Sequence, residues 1–296
     1  MAMKNKTAPA RGGKTPNVPA TTAKTSPQST GKEVAAIDED LKSMMEQDAG
    51  RGVSTKASDN VVPLIYLLQA QSPQCLRQHA NYVSPGVNGE KGAIAGNLWF
   101  RGTKDLVDGE GAGMLAQLCH FRVVWNEWGP ERGDGLKARH DERPEDAELV
   151  VDPKNDKKKK WVMPDTGNVV VETREHAVLI HGVYDSPSPF IIAMSGSNHQ
   201  PAKQWMTDIG RKRIPDTDKR ASLWAFMWRI KTIPRTDGEN NWFSYTIEDE
   251  EQMVDIGAYR LGRQLHDDFE KGLKKADVAE DDMANRPAGE QDDSDI

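Results

Sequence analysis

Apolar residues in this chain occur in short runs or alternate with polar residues, a pattern that is typical of strands. The first run begins after Asn60 and ends before Ser72-Pro73, and a second run occupies residues 114–125. Four further strand-like segments follow at residues 161–163, 168–172, 177–184 and 190–194. The polar stretch between the second run and these segments, residues 126–160, is predicted to be a long loop or an insertion between strands.

Residues 222–233 show the sharpest alternation of apolar and polar positions. One face of this predicted strand carries Trp224, Phe226, Trp228 and Ile230, and the other carries Met227, Arg229 and Lys231. Asp237-Gly238 is a hairpin turn signal, so residues 242–247 are predicted to pair with this strand as its return strand.

Three segments show helical spacing of their apolar residues. Residues 33–48 predict a short amphipathic helix, and residues 250–275 predict a terminal helix. Between them, Pro201 is suited to the first position of a helix over residues 201–213.

These elements, about seven or eight short strands and a few helices, predict an α+β fold with a strand-rich single core domain. An OB-like curled barrel, of the oligonucleotide/oligosaccharide-binding kind, is one form of such a sheet. Fifteen of the 19 aromatic residues lie between Trp99 and Tyr245, which indicates one main core. We expect this core at residues 56–276, with flanking helices, a basic arm at residues 1–55 and an acidic tail at residues 277–296.

Charge is segregated along the chain, whose formal net charge is −7. Residues 1–32 carry six Lys or Arg and no acid, whereas residues 277–296 carry eight acids and one Arg. Both ends are poor in large apolar side chains, so burial cannot offset the entropy of ordering them. We therefore expect both tails to be disordered.

Residues 201–235 differ from this acidic background, because they carry nine Lys or Arg and only three Asp, interleaved with aromatic residues. Positive charge attracts phosphates without regard to sequence, and aromatic faces stack on unpaired bases, so the region predicts single-stranded nucleic-acid binding. The predicted contacts are Lys203, Trp205, Arg211, Lys212, Arg213, Lys219, Arg220, Trp228, Arg229, Lys231, Arg235 and Trp242. For the row Trp224, Phe226 and Trp228, the favoured alternative is that it forms the core face of a strand.

A second basic run precedes Trp161, and its candidate contacts are Lys158, Lys159, Lys160 and Trp161. Such a run more often marks a solvated surface than a binding site, and that alternative is favoured here.

Motifs for catalysis or metal binding are not found in the sequence. No glycine-rich loop has the spacing that cradles phosphates, and no His, Cys or carboxylate pair has zinc-ligand spacing. We therefore expect a non-enzymatic protein without catalytic residues, metal or cofactor. The alternative is a metal-dependent nuclease, because Asp165 followed by Glu172 and Arg174 resembles a Pro-Asp…Glu-x-Lys pattern with Arg in place of Lys.

Two cysteines give no disulfide framework, and no segment reaches the ~18 consecutive apolar residues of a membrane span. A cytoplasmic location and no membrane partner are expected.

Residues 59–73, DNVVPLIYLLQAQSP, resemble an opening found in early-region proteins of tailed bacteriophages. Further segments in the order of that family follow at residues 172–175, 190–195, 203–205 and 228–232, so the resemblance covers residues 48–247. It implies a single-stranded DNA-binding protein that serves phage replication or helps a phage RNA polymerase to engage its template. The family carries no catalytic residue that could be transferred.

The acidic end, DDSDI, resembles the flexible tails of bacterial and phage single-stranded DNA-binding proteins. That resemblance implies a tail that competes for the basic groove and recruits phage RNA polymerase or replication proteins. Residues 33–48 and the basic arm are expected to drive self-association, so a homo-oligomer is predicted.

Overall fold

The computed structural model describes residues 60–85, 91–131, 134–152, 155–238 and 240–277. All of them belong to one compact unit, Thr55–Ile296. The predicted arm with its helix and the acidic tail beyond residue 277 lie outside the described residues.

Within these ranges the chain forms 13 strands and two α-helices. The strands are β1 (Val61–Val62), β2 (Leu64–Leu67), β3 (Leu98–Phe100), β4 (Leu106–Val107), β5 (Met114–Trp128), β6 (Leu136–His140), β7 (Glu148–Asp152), β8 (Asn155–Val162), β9 (Val169–His181), β10 (Ser188–Met194), β11 (Phe226–Thr236), β12 (Asn241–Met253) and β13 (Lys275–Ala276). The helices are α1 (His199–Arg211) and α2 (Ile256–Glu270).

Eleven strands form one sheet in the order β12-β11-β5-β9-β10-β2-β3-β4, with β6 paired to β5 and the β7–β8 hairpin paired to β9. Neighbours are antiparallel except for β10 and β2, which run parallel. A separate parallel pair joins β1 to β13, where the Lys275 N–H donates to the Asn60 carbonyl. The strand-rich α+β fold expected from the sequence is confirmed.

The sheet curls into a half-barrel, and its outer strand β12 is tied to the chain beyond β2. Pro234 has no N–H, and it lies opposite Phe243, so the N–H and C=O of Phe243 point away from β11. The Gln69 side chain bonds both groups, donating to the Phe243 carbonyl at 3.0 Å and accepting from its N–H at 2.8 Å. Nearby, the Thr232 hydroxyl donates to the Gly96 carbonyl at 2.7 Å.

Replacing Gln69 with alanine should lower the free energy of unfolding by about 1 kcal/mol, because two backbone groups of β12 lose their partner. Urea unfolding followed by circular dichroism measures this change. Gln78→Ala, at an exposed position, is the matched control and should leave stability unchanged. Equal stability of the two variants would show that Gln69 does not hold the curl closed.

The two faces of the sheet carry different cores. The concave face packs against α1 through Ala202, Trp205 and Ile209. The opposite face packs against α2, whose Leu265 and Phe269 cover Cys119, Ala177, Leu179 and Ile191. β5 contains one extra residue, Cys119, between Leu118 and His120, which pair with successive residues of β9.

Several predicted boundaries are wrong for physical reasons. Residues 126–160 contain β6, β7 and most of β8, so the long loop is wrong and the alternative, an insertion between strands β5 and β9, describes them. Leu149 and Val151 of β7 are exposed, so this strand lacks the usual alternation of buried apolar and exposed polar residues. β9 joins two predicted strands into one, and β12 continues to Met253, where a helix was predicted. α1 begins at His199, so Pro201 lies within its first turn, where a missing N–H costs no helical bond.

Candidate nucleic-acid interface

An open cleft of about 400 Å³ lies between the first half of α1 and β12. We call it the α1–β12 cleft. Among the side chains that line it are Gln200, Gln204, Arg235, Trp242, Ser244 and Thr246. Amides, hydroxyls, one guanidinium and two indoles, those of Trp242 and of the deeply buried Trp205, therefore line this surface.

Side-chain bonds at both ends of α1 hold the helix alongside β12. At the first end, the side-chain oxygen Oδ1 of Asn198 accepts from the Ser244 hydroxyl and from the Tyr245 N–H, each at 3.0 Å. At the other end, Lys212 forms an ion pair with Asp249. The cleft is thus built on a helix and a strand, not on loops.

Arg235 and Trp242 lie directly opposite each other on β11 and β12. Residues opposite each other in an antiparallel pair project from the same face of the sheet, so their side chains are neighbours. Arg235 is exposed, and none of the residues described forms an ion pair with it. Trp242 is half-buried, and its indole N–H is buried without a hydrogen-bond partner in the described part of the chain. The pair therefore offers a cation and a partly exposed aromatic ring together.

Two of the tryptophans expected to stack on bases are buried, which corrects their predicted role. Trp205 and Trp228 are 1% and 2% exposed. Trp205 stacks on His176 at 4.8 Å and meets Trp228 edge-on at 6.3 Å. Phe226 and Trp228 form the core face of β11, as the favoured alternative proposed. Trp224 lies in a 3₁₀ turn, Leu223–Ala225, and packs instead against the core under α2.

Three of the predicted cations are paired with acids on β12, which corrects their role as free phosphate ligands. Arg229 bonds both carboxylate oxygens of Glu250, and Lys231 lies 2.8 Å from Glu248. Lys212 pairs with Asp249 and also lies 4.8 Å from the Phe226 ring. The hydrogen bond from Arg229 lowers the pKa of the Glu250 carboxyl, so this pair stays ionised at neutral pH.

The remaining cations of this region lie on α1 and the loop that follows it. Lys203, Lys219 and Arg220 are exposed, and no ion pair with a described residue involves them. Arg211 bonds Asp208 at 3.4 Å, and Asp208 also accepts from Gln204 of the cleft. Arg213 lies opposite Arg220 in a β-bridge, and its guanidinium donates to the carbonyls of Gly210 and Lys212. These groups extend the positive surface beyond the cleft.

The second basic run is not brought to the cleft. Lys158, Lys159 and Lys160 belong to β8, where Lys159 is exposed, Lys160 is half-buried, and the side chain of Lys158 lies outside the described atoms. Trp161 is half-buried and has the Arg143 guanidinium 3.9 Å from its ring centre. β8 pairs at the Trp128 end of the β5–β9 ladder, and β11 pairs at the Met114 end. Fourteen residues of strand separate these ends by roughly 40 Å.

The residues of the nuclease alternative do not form a ligand cluster in the described chain. Asp165 is exposed in the turn after β8, and Glu172 bonds Arg174 at 2.8 Å. Among described residues, the group of three potential ligands close enough to share an ion is His120, His266 and Glu270, on other elements.

The curled sheet and the cleft beside α1 define a strand-rich α+β protein with an aromatic and cationic surface. A family model described as Pam3 phage gp34-like protein matches residues 32–275, which is more than half of the 296 residues. The chain belongs to this family, and it is a phage protein. No curated protein and no solved structure matched the chain. In the described ranges, no helix is long and apolar enough to span a membrane.

Proposed function

We propose that this phage protein binds single-stranded DNA without enzymatic activity and largely without sequence preference. The observation that carries the proposal is the cross-strand pair of Arg235 and Trp242 in the α1–β12 cleft. An indole provides a π-face for any base, and an exposed guanidinium provides a phosphate ligand.

In this mechanism one base stacks on Trp242 while Arg235 holds the adjacent phosphate. Gln200 and Gln204 face the same cleft, where the amide of Gln200 supplies hydrogen bonds to a base edge, and the amide oxygen of Gln204 can accept while its N–H donates to Asp208. Lys203, Lys219, Arg213 and Arg220 then follow the backbone along α1 and its loop. Each neutralised phosphate releases counterions, so affinity falls with salt.

Two roles are consistent with this chemistry, DNA replication and assistance to a phage RNA polymerase. Both need an exposed single strand, and the second also needs contact with the polymerase. Pull-down of the polymerase by the full chain, with and without residues 277–296, separates the two roles. Sedimentation of the DNA complex reports whether several copies bind one strand.

We expect Trp242→Ala to weaken binding of an oligo-dT about tenfold, which corresponds to the loss of one stacked base. Arg235→Glu should weaken binding and also reduce the slope of log affinity against log salt by about one or more, because it removes a phosphate contact and adds repulsion. Fluorescence anisotropy with labelled oligomers at two salt concentrations measures both effects.

Two matched variants serve as controls. Arg263 is an exposed residue of α2, which covers the opposite face of the sheet. Arg263→Glu makes the same charge change there and should keep parental affinity. Trp161→Ala removes an indole at the far end of β5. If Trp161→Ala weakens binding and Trp242→Ala does not, the β7–β8 hairpin is the DNA site and the cleft is not.

A further inference from the structure

Three potential metal ligands meet where α2 crosses β5. They are His120 of β5 and His266 and Glu270 of α2, and their donor atoms all lie within 4.8 Å of one another. α2 covers the face of the sheet opposite α1, so this group is separate from the α1–β12 cleft.

The fold brings these residues together by two local features. His266 and Glu270 are four residues apart on α2, so their side chains lie on one helix face. In a regular strand, neighbouring residues point to opposite faces, yet Cys119 packs under α2 and His120 also contacts α2. The extra residue in β5 explains this, because a bulge turns two successive side chains to one side.

One ring nitrogen of His266 bonds a backbone carbonyl, as is usual for histidines that bind a metal through the other nitrogen. Nδ1 of His266 lies 3.0 Å from the Cys119 carbonyl oxygen. A carbonyl only accepts, so Nδ1 carries the proton, and in the neutral ring Nε2 presents its lone pair. Metal-binding histidines almost always donate their other N–H to a carbonyl or carboxylate in this manner.

Aromatic packing fixes both imidazole rings. His120 stacks on Phe269 with ring centres 5.3 Å apart and an angle of 9°. His266 packs against Trp224 at 4.9 Å. Rings held in this way lose little side-chain entropy when they bind an ion, so the two nitrogens are preorganised.

The spacing fits a small divalent ion. Nδ1 of His120 lies 3.4 Å from Oε1 of Glu270. Two ligand atoms about 2.1 Å from one Zn²⁺ at the tetrahedral angle are also about 3.4 Å apart. The widest separation in the group, 4.8 Å at most, must shorten by about 1.4 Å. Glu270 ends α2 and its side chain is 60% exposed, so its carboxylate is free to move with the ion, and any remaining adjustment requires small rotations of the imidazole rings.

We infer that His120, His266 and Glu270 form a binding site for a divalent transition-metal ion of the Zn²⁺ class, which ties α2 to β5. Two imidazoles and one carboxylate suit Zn²⁺, and three protein ligands leave one tetrahedral position to water. None of the three residues belongs to the α1–β12 cleft, so the inference is independent of DNA binding.

The test is titration of the chelator-treated full chain with Zn²⁺ in a calorimeter, together with Co²⁺ absorption spectra. We expect one ion per chain and a rise in the unfolding temperature on binding. His266→Ala and Glu270→Gln should each weaken Zn²⁺ binding by about a hundredfold, since loss of even an outer partner costs about 10–100-fold. The Glu270 side chain is exposed, so the Glu270→Gln variant should fold like the parent chain.

His79→Ala is the matched control, because His79 is exposed and remote in sequence from the three ligands. It should bind Zn²⁺ as tightly as the parent chain. The inference is overturned if the parent chain shows no stoichiometric Zn²⁺ binding at neutral pH. It is equally overturned if Glu270→Gln and His266→Ala bind Zn²⁺ as tightly as the parent chain and are stabilised by it to the same extent.

Discussion

Trp205→Ala is expected to lower the free energy of unfolding by about 3–5 kcal/mol, the usual cost of removing a buried tryptophan. Trp205 is 1% exposed and joins α1 to the concave core through His176 and Trp228. Alanine leaves a cavity between these rings that the surrounding sheet cannot fill. The indole N–H has no partner among the described residues, so the loss comes from packing and not from a hydrogen bond.

Urea unfolding of Trp205→Ala and Trp242→Ala measures this effect and compares the stability lost with a fully buried indole to that lost with a half-buried one. Trp242→Ala should lose much less stability, because that ring is half-buried at the edge of the sheet. A domain stabilised by about 5–15 kcal/mol would be close to unfolding after the first change and not after the second. If Trp205→Ala stays as stable as the parent chain but loses DNA affinity, the original prediction that Trp205 stacks on bases is correct after all.

The second large effect is an acid-dependent loss of stability that arises from His176. Burial lowers the pKa of His176 from its ordinary value of 6.5 to about 3. Between pH 6.5 and about pH 3 this histidine is protonated in the unfolded chain but not in the folded chain, so the free energy of unfolding falls as pH falls. The loss from this residue between pH 7 and pH 5 is about 2 kcal/mol. Burial also lowers the pKa values of His120 and His181, which adds to the loss in the same direction.

His176→Phe should remove the His176 part of this pH dependence. Phenylalanine keeps the ring beside Trp205 and gives up a long hydrogen bond, 3.4 Å, from Nδ1 to the Ile192 carbonyl. Near pH 7 the two proteins should unfold at similar urea concentrations, and at pH 5 the variant should be more stable by about 2 kcal/mol. His79→Ala, at an exposed position, should keep the parental pH profile. Parallel profiles for parent and His176→Phe would contradict the assignment.

The hairpin of β11 and β12 could be predicted from the sequence because its determinants are local. Asp237-Gly238 supplies the turn, with Gly238 at a φ of +98° that favours glycine, and the preceding strand alternates cleanly. The charge at this hairpin could not be predicted in the same way. The window that gave nine cations ended at Arg235, whereas their partners Glu248, Asp249 and Glu250 follow on the return strand.

The group formed by His120, His266 and Glu270 was even harder to predict from the sequence than the ion pairs of this hairpin. The expectation that no pair has zinc-ligand spacing overlooked His266 and Glu270, which lie four residues apart in a predicted helix and therefore share one face. His120 lies 146 positions before His266, and its orientation depends on the bulge at Cys119. Neither strand pairing nor a bulge leaves a pattern in a single sequence, so only the fold connects these ligands.

The short pairing of β1 with β13 has a practical consequence for handling the protein. The Asn60 carbonyl accepts from the Lys275 N–H and the Val62 carbonyl accepts from the Asp277 N–H, so residues 60 and 277 lie at opposite ends of one very short parallel pair. Fusion partners or surface tethers attached at residue 60 or residue 277 should therefore approach the same part of the domain. A linker of a few residues between positions 60 and 277 should suffice for circular permutation, with new termini opened elsewhere.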